Sequence, residues 1–222
     1  MHILVIAATE AELRPFSEHL SREWATSPTG FFQKGENTLE VCVTGVGAVS
    51  TAWGIAMAIS RARPDLAINA GIAGALDASL AIGSVYNVVS ECFGDLGIEQ
   101  ADGSVQSLFE AGLVSASVPP FSEGKLIHPD SHQMHFLPNV QGVTVNKVHG
   151  QEDSIEVFRK LFPRAQVESM EGAAFFYACL STGIPFMELR SISNYVEKRN
   201  RANWNIPLAI QSLNQVLIEM LG

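Results

Sequence analysis

Apolar and polar positions follow two patterns that take turns along the chain. Short, nearly unbroken apolar runs occupy Ile3–Ala8, Leu39–Thr44, Leu66–Ala70, Ser84–Phe93, Val140–Val148, Gln166–Ser169 and Phe186–Ser193. Between them lie stretches with helical spacing of apolar residues: Glu10–Glu23, Ala48–Ala62, Ser154–Phe162, Gly172–Thr182 and Trp204–Leu221. Strands that are apolar on both faces belong to a sheet covered on both sides. The alternation therefore predicts an α/β fold, a three-layer α/β/α single domain over residues 1–222 with a mixed, mainly parallel twisted central sheet. Only Asp95–Pro138 breaks the rhythm, with Pro119, Pro120, Pro129 and Pro138 among the chain's 10 prolines. A long irregular segment in a compact domain more often covers a site or makes a contact than idles.

Composition narrows the class. Hydrophobic residues make up 47% of the 222 positions and charged ones 17%, which excludes a disordered chain. A formal net charge of −9 argues against phosphate-backbone binding, so no nucleic acid partner is expected. Cys42, Cys92 and Cys179 lie far apart in apolar stretches and read as reduced core thiols, in keeping with a cytoplasmic protein. The opening MHILVIAATEAEL lacks the basic region of a signal peptide. The 20 uncharged residues between Glu40 and Arg61 are long enough for a bilayer. Their first half is β-branched and ends in Gly45 and Gly47, and the second half is Ala-rich. A buried strand turning into a buried helix is the better reading, and no membrane partner is expected.

Candidate chemistry gathers at strand ends, where ligands bind in an open α/β sheet. The first strand runs into Thr9-Glu10-Ala11-Glu12. The third is read as ending in the turn Asn69–Gly74, whose small residues allow close backbone approach. Gln166–Ser169 leads to Met170-Glu171, and Phe186–Ser193 leads to Asn194. Glu12, Glu171 and Asn194 then converge on one edge, although acids after strands also serve as helix-start residues. Glu168, three residues before Glu171, has no assignable role. TGVGAVSTA (Thr44–Ala52) has Ser50 where a dinucleotide fingerprint needs its third glycine, so it reads as a tight strand-to-helix turn. His128, His132 and His135 have metal-like spacing, but Pro129 interrupts them and H-E-x-x-H is absent. They are read as solvated loop histidines, with no metal and no cofactor expected. Neither G-x-S-x-G nor a P-loop occurs.

Taken together, these segments resemble the nucleoside phosphorylase/nucleosidase superfamily over nearly the whole chain. IAATEAEL is similar to its opening strand and acidic turn, which places a catalytic Glu at Glu12. NAGIAGALDASLAIGSVYNVV (Asn69–Val89) resembles its glycine-rich third-strand segment, which would lay Ala73 and Gly74 along the base. VESMEGAAFFYACL resembles the family's V-x-MEAAA segment, whose Met and Glu hold the ribose, here Met170 and Glu171. ELRSISNYVE resembles R-x-(I/V)-S-(D/N), which contacts the purine, here through Asn194.

Two features sharpen the resemblance. Adenine-handling nucleosidases carry Asp at this last position, whereas Asn fits a 6-oxopurine, since its amide donates to O6 and accepts from a protonated N7. FGDLGIE (Phe93–Glu99), MEGAAFFYACL and SNYVEKRNRANW are similar to the futalosine-hydrolysing branch, which releases hypoxanthine in a route to menaquinone. Ile72 departs from the pattern, standing where related nucleosidases have Ser near the water site, and His149–Ile155 matches the base-flanking loop poorly.

The resemblance implies hydrolysis of an N-glycosidic bond through an oxocarbenium-like state. Glu12 would take a proton from water, Glu171 would bind the ribose hydroxyls, and Asn194 would hold the departing base. Asn194 cannot supply the proton that the base needs, so its source is open. Arg199 and Arg201 are candidates for the benzoate of futalosine, and solvated arginines are an equal reading. Open alternatives are a methylthioadenosine/S-adenosylhomocysteine type nucleosidase, a phosphorylase, or a non-catalytic nucleotide-binding module. A homo-oligomer, most simply a dimer, is expected, with the Ala48–Ala62 helix and the long loop in contact.

Overall fold

The computed structural model describes residues 1–28, 30–130 and 136–222, so His132 and His135 lie outside the described residues. The first strand, β1 (His2–Ala7), shows how the layers arise. Successive side chains of a strand point to opposite faces. Ile3, Val5 and Ala7 therefore enter one core with Leu13, Phe16 and Leu20 of α1 (Glu10–Glu23) and Leu213 and Leu217 of α5 (Ile206–Leu221). Leu4 and Ile6 enter another with Ile55 and Ala58 of α2 (Ala48–Arg61) and with Phe175, Phe176 and Cys179 of α4 (Gly172–Thr182). Full burial of such side chains is worth about 1.5–3 kcal/mol each, so both faces hold the helices firmly.

The remaining strands are β2 (Ala25–Thr26), β3 (Phe32–Lys34), β4 (Asn37–Val43), β5 (Leu66–Ala75), β6 (Val85–Glu91), β7 (Gly97–Glu99), β8 (Val105–Ser107), β9 (Leu126–Ile127), β10 (Asn139–Thr144), β11 (Val167–Ser169) and β12 (Phe186–Tyr195). The main sheet has the order β11-β10-β6-β12-β5-β1-β4-β3-β2. Its pairs β1–β4, β1–β5, β5–β12, β6–β10 and β10–β11 are parallel, while β6–β12 is antiparallel. The expected mixed, mainly parallel sheet is thus present. One feature was not expected: β11 also pairs antiparallel with β5. Strands β5, β12, β6, β10 and β11 thereby close into a ring, and α3 (Glu152–Leu161) packs beside it through Ile155 and Phe158.

Several boundaries move. The third strand does not stop at Ala70 but runs on to Ala75, because β12 offers backbone partners as far as Tyr195 opposite Ala75. The expected glycine-rich turn is therefore strand. Its glycine serves side-chain approach instead: a Cβ on Gly71 would sit 2.6 Å from Arg190 Nη1 and 3.1 Å from Glu12 Oε1. The strand expected to reach Val148 leaves the sheet after Thr144, where Asp95 binds the Asn146 N–H at 2.6 Å and its Nδ2 at 3.0 Å. Helix α5 begins at Ile206 and not Trp204, because Asn205 Oδ1 caps the Leu208 N–H at 3.2 Å and Pro207 suits the first turn. The irregular segment holds a β7–β8 hairpin and β9, which adds to β6. Among the described residues no helix is long and apolar enough to cross a membrane. The uncharged stretch is split between β4, a turn with Gly45 and Gly47 at φ 91 and 94, and α2.

Candidate functional site

Strands β1, β4, β5 and β12 run in one direction, so their carboxyl ends share an edge. Glu12 lies there, buried in the first turn of α1. Its Oε2 accepts the Thr9 N–H at 2.9 Å and the Thr9 hydroxyl at 2.8 Å. Its Oε1 accepts the Ile72 N–H at 3.1 Å. This carboxylate therefore joins the start of α1 to the middle of β5. Asn214 of α5 fixes the backbone beneath it, with Nδ2 donating to the Glu12 carbonyl at 2.8 Å.

Glu171 occupies the N-cap position of α4 but makes no side-chain bond to its own helix. The helix-start position expected of an acid after a strand is thus observed. With φ −125 and ψ −29 its backbone is not helical, and Oε1 accepts the Gly47 N–H at 3.0 Å across the edge. Oε2 accepts the N–H of Met170 at 3.3 Å. The turn Thr44–Gly47 thus supplies a donor to this carboxylate, as a tight strand-to-helix turn at a ligand edge can.

Asn194 is at the end of β12, opposite Gly74, after an irregularity that follows Ile192. A Cβ on Gly74 would be 3.3 Å from its Nδ2. The amide is locally engaged: Oδ1 accepts the Ser193 hydroxyl at 2.8 Å, and Nδ2 donates to the Tyr195 carbonyl at 2.9 Å. Ser193 Oγ also lies 3.2 Å from the carbonyl of Ala73, tying β12 to β5. β11 runs antiparallel to β5, from Val167 at Ala75 to Glu168 at Gly74, and so heads toward Ile72 as it leads to Met170 and Glu171. All six sequence-predicted site residues, Glu12, Ala73, Gly74, Met170, Glu171 and Asn194, are brought to this edge. Glu12 reaches Ile72, Glu171 reaches the Gly47 turn, and the amide lies near Gly74.

Sequence reasoning gave no role to Arg190, the largest fully buried side chain. Its Nε lies 3.1 Å from Glu188 Oε1, and its Nη1 donates to Asn69 Oδ1 at 3.3 Å. Burial pushes its pKa down, yet Glu188, Glu171, Glu91 and Glu12 push harder and hold it above its ordinary value. The available signal was two charges, Glu188 and Arg190, on one face of a central strand.

Beneath the edge, Glu91 and Glu188 are buried together. Burial pushes Glu188 up to about 7, with Arg190 pulling down and Glu171 adding to the rise. Glu91 rises well above the carboxyl range through burial and then Glu188, opposed by the Thr144 hydroxyl at 2.9 Å. A proton held by the pair lets one carboxyl hydrogen-bond to the other.

Two other expectations meet the structure. His128 is not a solvated loop residue: it is 4% exposed, with Nε2 2.6 Å from the Phe186 carbonyl, because β9 docks it against Phe176 and Phe186. Arg199 and Arg201 both lie over Trp204, at 5.0 Å and 6.0 Å. An apolar cavity of about 430 Å³ opens between α2, α4 and the irregular segment, lined among others by Val49, Phe93, Phe109, Phe121 and Tyr177. Ala48 and Ala174, in the first turns of α2 and α4, put it next to the Gly47–Glu171 contact. Among the described residues no group of three or more His, Cys, Asp or Glu side chains could hold a metal ion.

Comparison with known proteins agrees with this geometry. A 5'-methylthioadenosine/S-adenosylhomocysteine nucleosidase of Tolumonas auensis is 27% identical over 100% of this chain and 99% of its own. A futalosine hydrolase of Acidothermus cellulolyticus is 33% identical over 79% of this chain and 72% of its own. The solved structure of a futalosine hydrolase of Helicobacter pylori has the same fold, with a TM-score of 0.79 at 18% identity over 100% of this chain and 97% of that one. The family model described as the phosphorylase superfamily matches residues 2–221, and this chain belongs to that superfamily.

Proposed function

We propose that this protein is a nucleosidase that hydrolyses the N-glycosidic bond of a 6-oxopurine nucleoside, with futalosine as its substrate and hypoxanthine as the released base. The observation that carries this reading is the order of groups along β5. Glu12 meets Ile72, and Asn194 meets Gly74 two residues on, about 7 Å away at the usual strand rise. That span suits a nucleoside with its attacked carbon toward the acids and its base toward the amide.

In this reading Glu12 takes the proton of the attacking water through Oε1, while Oε2 stays bound to Thr9. Glu171, steadied by the Gly47 N–H, binds the ribose hydroxyls and faces the developing positive charge. Met170 packs on the sugar, and Ala73 and Gly74 lie along the base. Asn194 reads N7 and O6, exchanging one of its local contacts to do so. Water is favoured over phosphate because Arg190 is already surrounded by carboxylates, so an incoming phosphate would meet net negative charge. The apolar cavity with its aromatic wall, beside Glu171, favours a large aromatic substituent on the ribose.

Incubation with futalosine, inosine and methylthioadenosine, with and without phosphate, tests the proposal. Phosphate-independent release of hypoxanthine from futalosine is expected, and release of adenine alone sinks the 6-oxopurine assignment. Release from none of the three favours a non-catalytic nucleotide-binding module. Asn194→Asp is expected to move preference toward 6-aminopurine nucleosides by about tenfold, the worth of one hydrogen bond. Val49, Trp53 and Met57 are exposed at helical spacing on α2, and we propose a homodimer formed across this face. Sedimentation of Trp53→Glu against the unaltered chain checks it, a monomeric variant being expected.

A further inference from the structure

A neutral purine leaves its ribose readily only if N7 gains a proton as the bond from C1′ to N9 breaks, and an Asn amide has none to give. A group able to give one lies across the strand ladder. Glu168 stands opposite Gly74 in the β11–β5 pair. Directly opposed residues of an antiparallel pair project to the same side. On that side a Gly74 Cβ would approach Asn194 Nδ2, so Glu168 shares the base end of β5 with Asn194.

Glu168 is 4% exposed, and both of its oxygens are committed to one residue. Oε1 accepts the His149 N–H at 3.1 Å, and Oε2 pairs with His149 Nδ1. The imidazole lies against the Phe158 ring at 4.0 Å between centroids. The Arg199 N–H donates to the Gly150 carbonyl at 2.9 Å, fastening this loop to the chain that follows Asn194. The ring is held by Glu168 and Phe158 and its loop by Arg199, and Nε2 has no hydrogen-bond partner among the described residues. A buried carboxylate that grips one nitrogen of a half-buried imidazole and leaves the other free is the arrangement that orients a His for proton transfer.

We propose that His149, oriented by Glu168, is the general acid that protonates N7 of the leaving purine, an inference that rests on the nucleosidase reading. The imidazolium Nε2–H passes its proton to N7 as the C1′–N9 electron pair moves into the base. Water bonds to C1′ and gives a proton to Glu12. The base departs neutral, the sugar gains a hydroxyl, and one proton passes through solvent from Glu12 back to His149. Charge and protons balance with no further reactant.

The test compares a purine nucleoside that the unaltered enzyme cleaves with its 7-methyl derivative, whose N7 already carries the positive charge. For His149→Asn, release of the unmethylated base is expected to fall about 10²–10³-fold, within the usual range for a placed acid. Release of the 7-methyl base is expected to change less than about threefold, which also reports that the variant is folded. Glu168→Gln is expected to lose about tenfold, on the unmethylated substrate only. Equal losses on both substrates, for His149→Asn and for the alternative His149→Gln, assign the residue a structural role and overturn the proposal. Undiminished release of the unmethylated base does so as well. An unaltered enzyme that cleaves no purine nucleoside removes the nucleosidase reading itself, an outcome distinct from the others.

Discussion

Two pairs of glutamates share the field of Arg190 and live under opposite rules. Glu12 and Glu171 sit at the sheet edge, and each accepts a backbone N–H from a distant segment, from Ile72 and Gly47. Glu91 and Glu188 lie under α4, where burial favours the protonated form. The donors differ as well as the depth. Glu91 receives one hydroxyl, from Thr144, which in turn accepts the Ala173 N–H at 2.7 Å. Identical side chains thus meet different surroundings: the edge pair is the one proposed to act on a ligand, while in the deep pair burial favours a proton beside the guanidinium. A buried group of this kind is costly unless each partner is present, so its members are expected to fail together.

The largest effect is expected at the edge. Glu12→Gln removes the proposed general base and should lower kcat for base release by about 10²–10⁴-fold while ligand affinity by calorimetry stays close to that of the unaltered chain. Near-normal turnover would erase the distinction between the two pairs.

Crowding the deep pair comes next. A Cβ on Gly172 would lie 2.2 Å from Glu91 Oε1 and 2.6 Å from Glu188 Oε1. Gly172→Ala should cost about 1–3 kcal/mol in denaturant unfolding, as overpacking does.

The smallest effect is in pH dependence. Because Glu188 titrates near 7 when folded and near the ordinary carboxyl value when unfolded, the folded state holds the extra proton between these values. Stability contributed by this group is full below the unfolded value and is lost as pH rises through about 7. The melting temperature should therefore fall between pH 5 and pH 8 by less in Glu188→Gln than in the unaltered chain; parallel curves would contradict a proton held in the pair.

The layers and the edge were legible because long apolar runs and acids after strands leave local traces. Glu12 follows β1 at the spacing at which a first-turn acid reaches back to its Thr, and it does so. What escaped reading depends on distant pairing. Strands as short as β7 and β9 carry too few residues for a period, and the length of β5 is set by β12. Glu168 and His149 meet because β11 pairs beside β10, whose chain leads on to His149, and nothing local announces that pairing. One trace was visible and went unexplained: Gly172 stands where the family's V-x-MEAAA pattern has Ala, and the volume that it vacates holds Glu91 and Glu188.

The anchoring of Glu12 makes its two oxygens inequivalent. One oxygen carries both bonds from Thr9 and the other the bond from Ile72, so the plane of the carboxylate is held and a half-turn only exchanges identical atoms. A freely spinning carboxylate would present either oxygen, in any plane, to an incoming water. Here the plane has a fixed address, and in the proposed mechanism the oxygen facing Ile72 takes the proton while the one on Thr9 keeps the start of α1 covered.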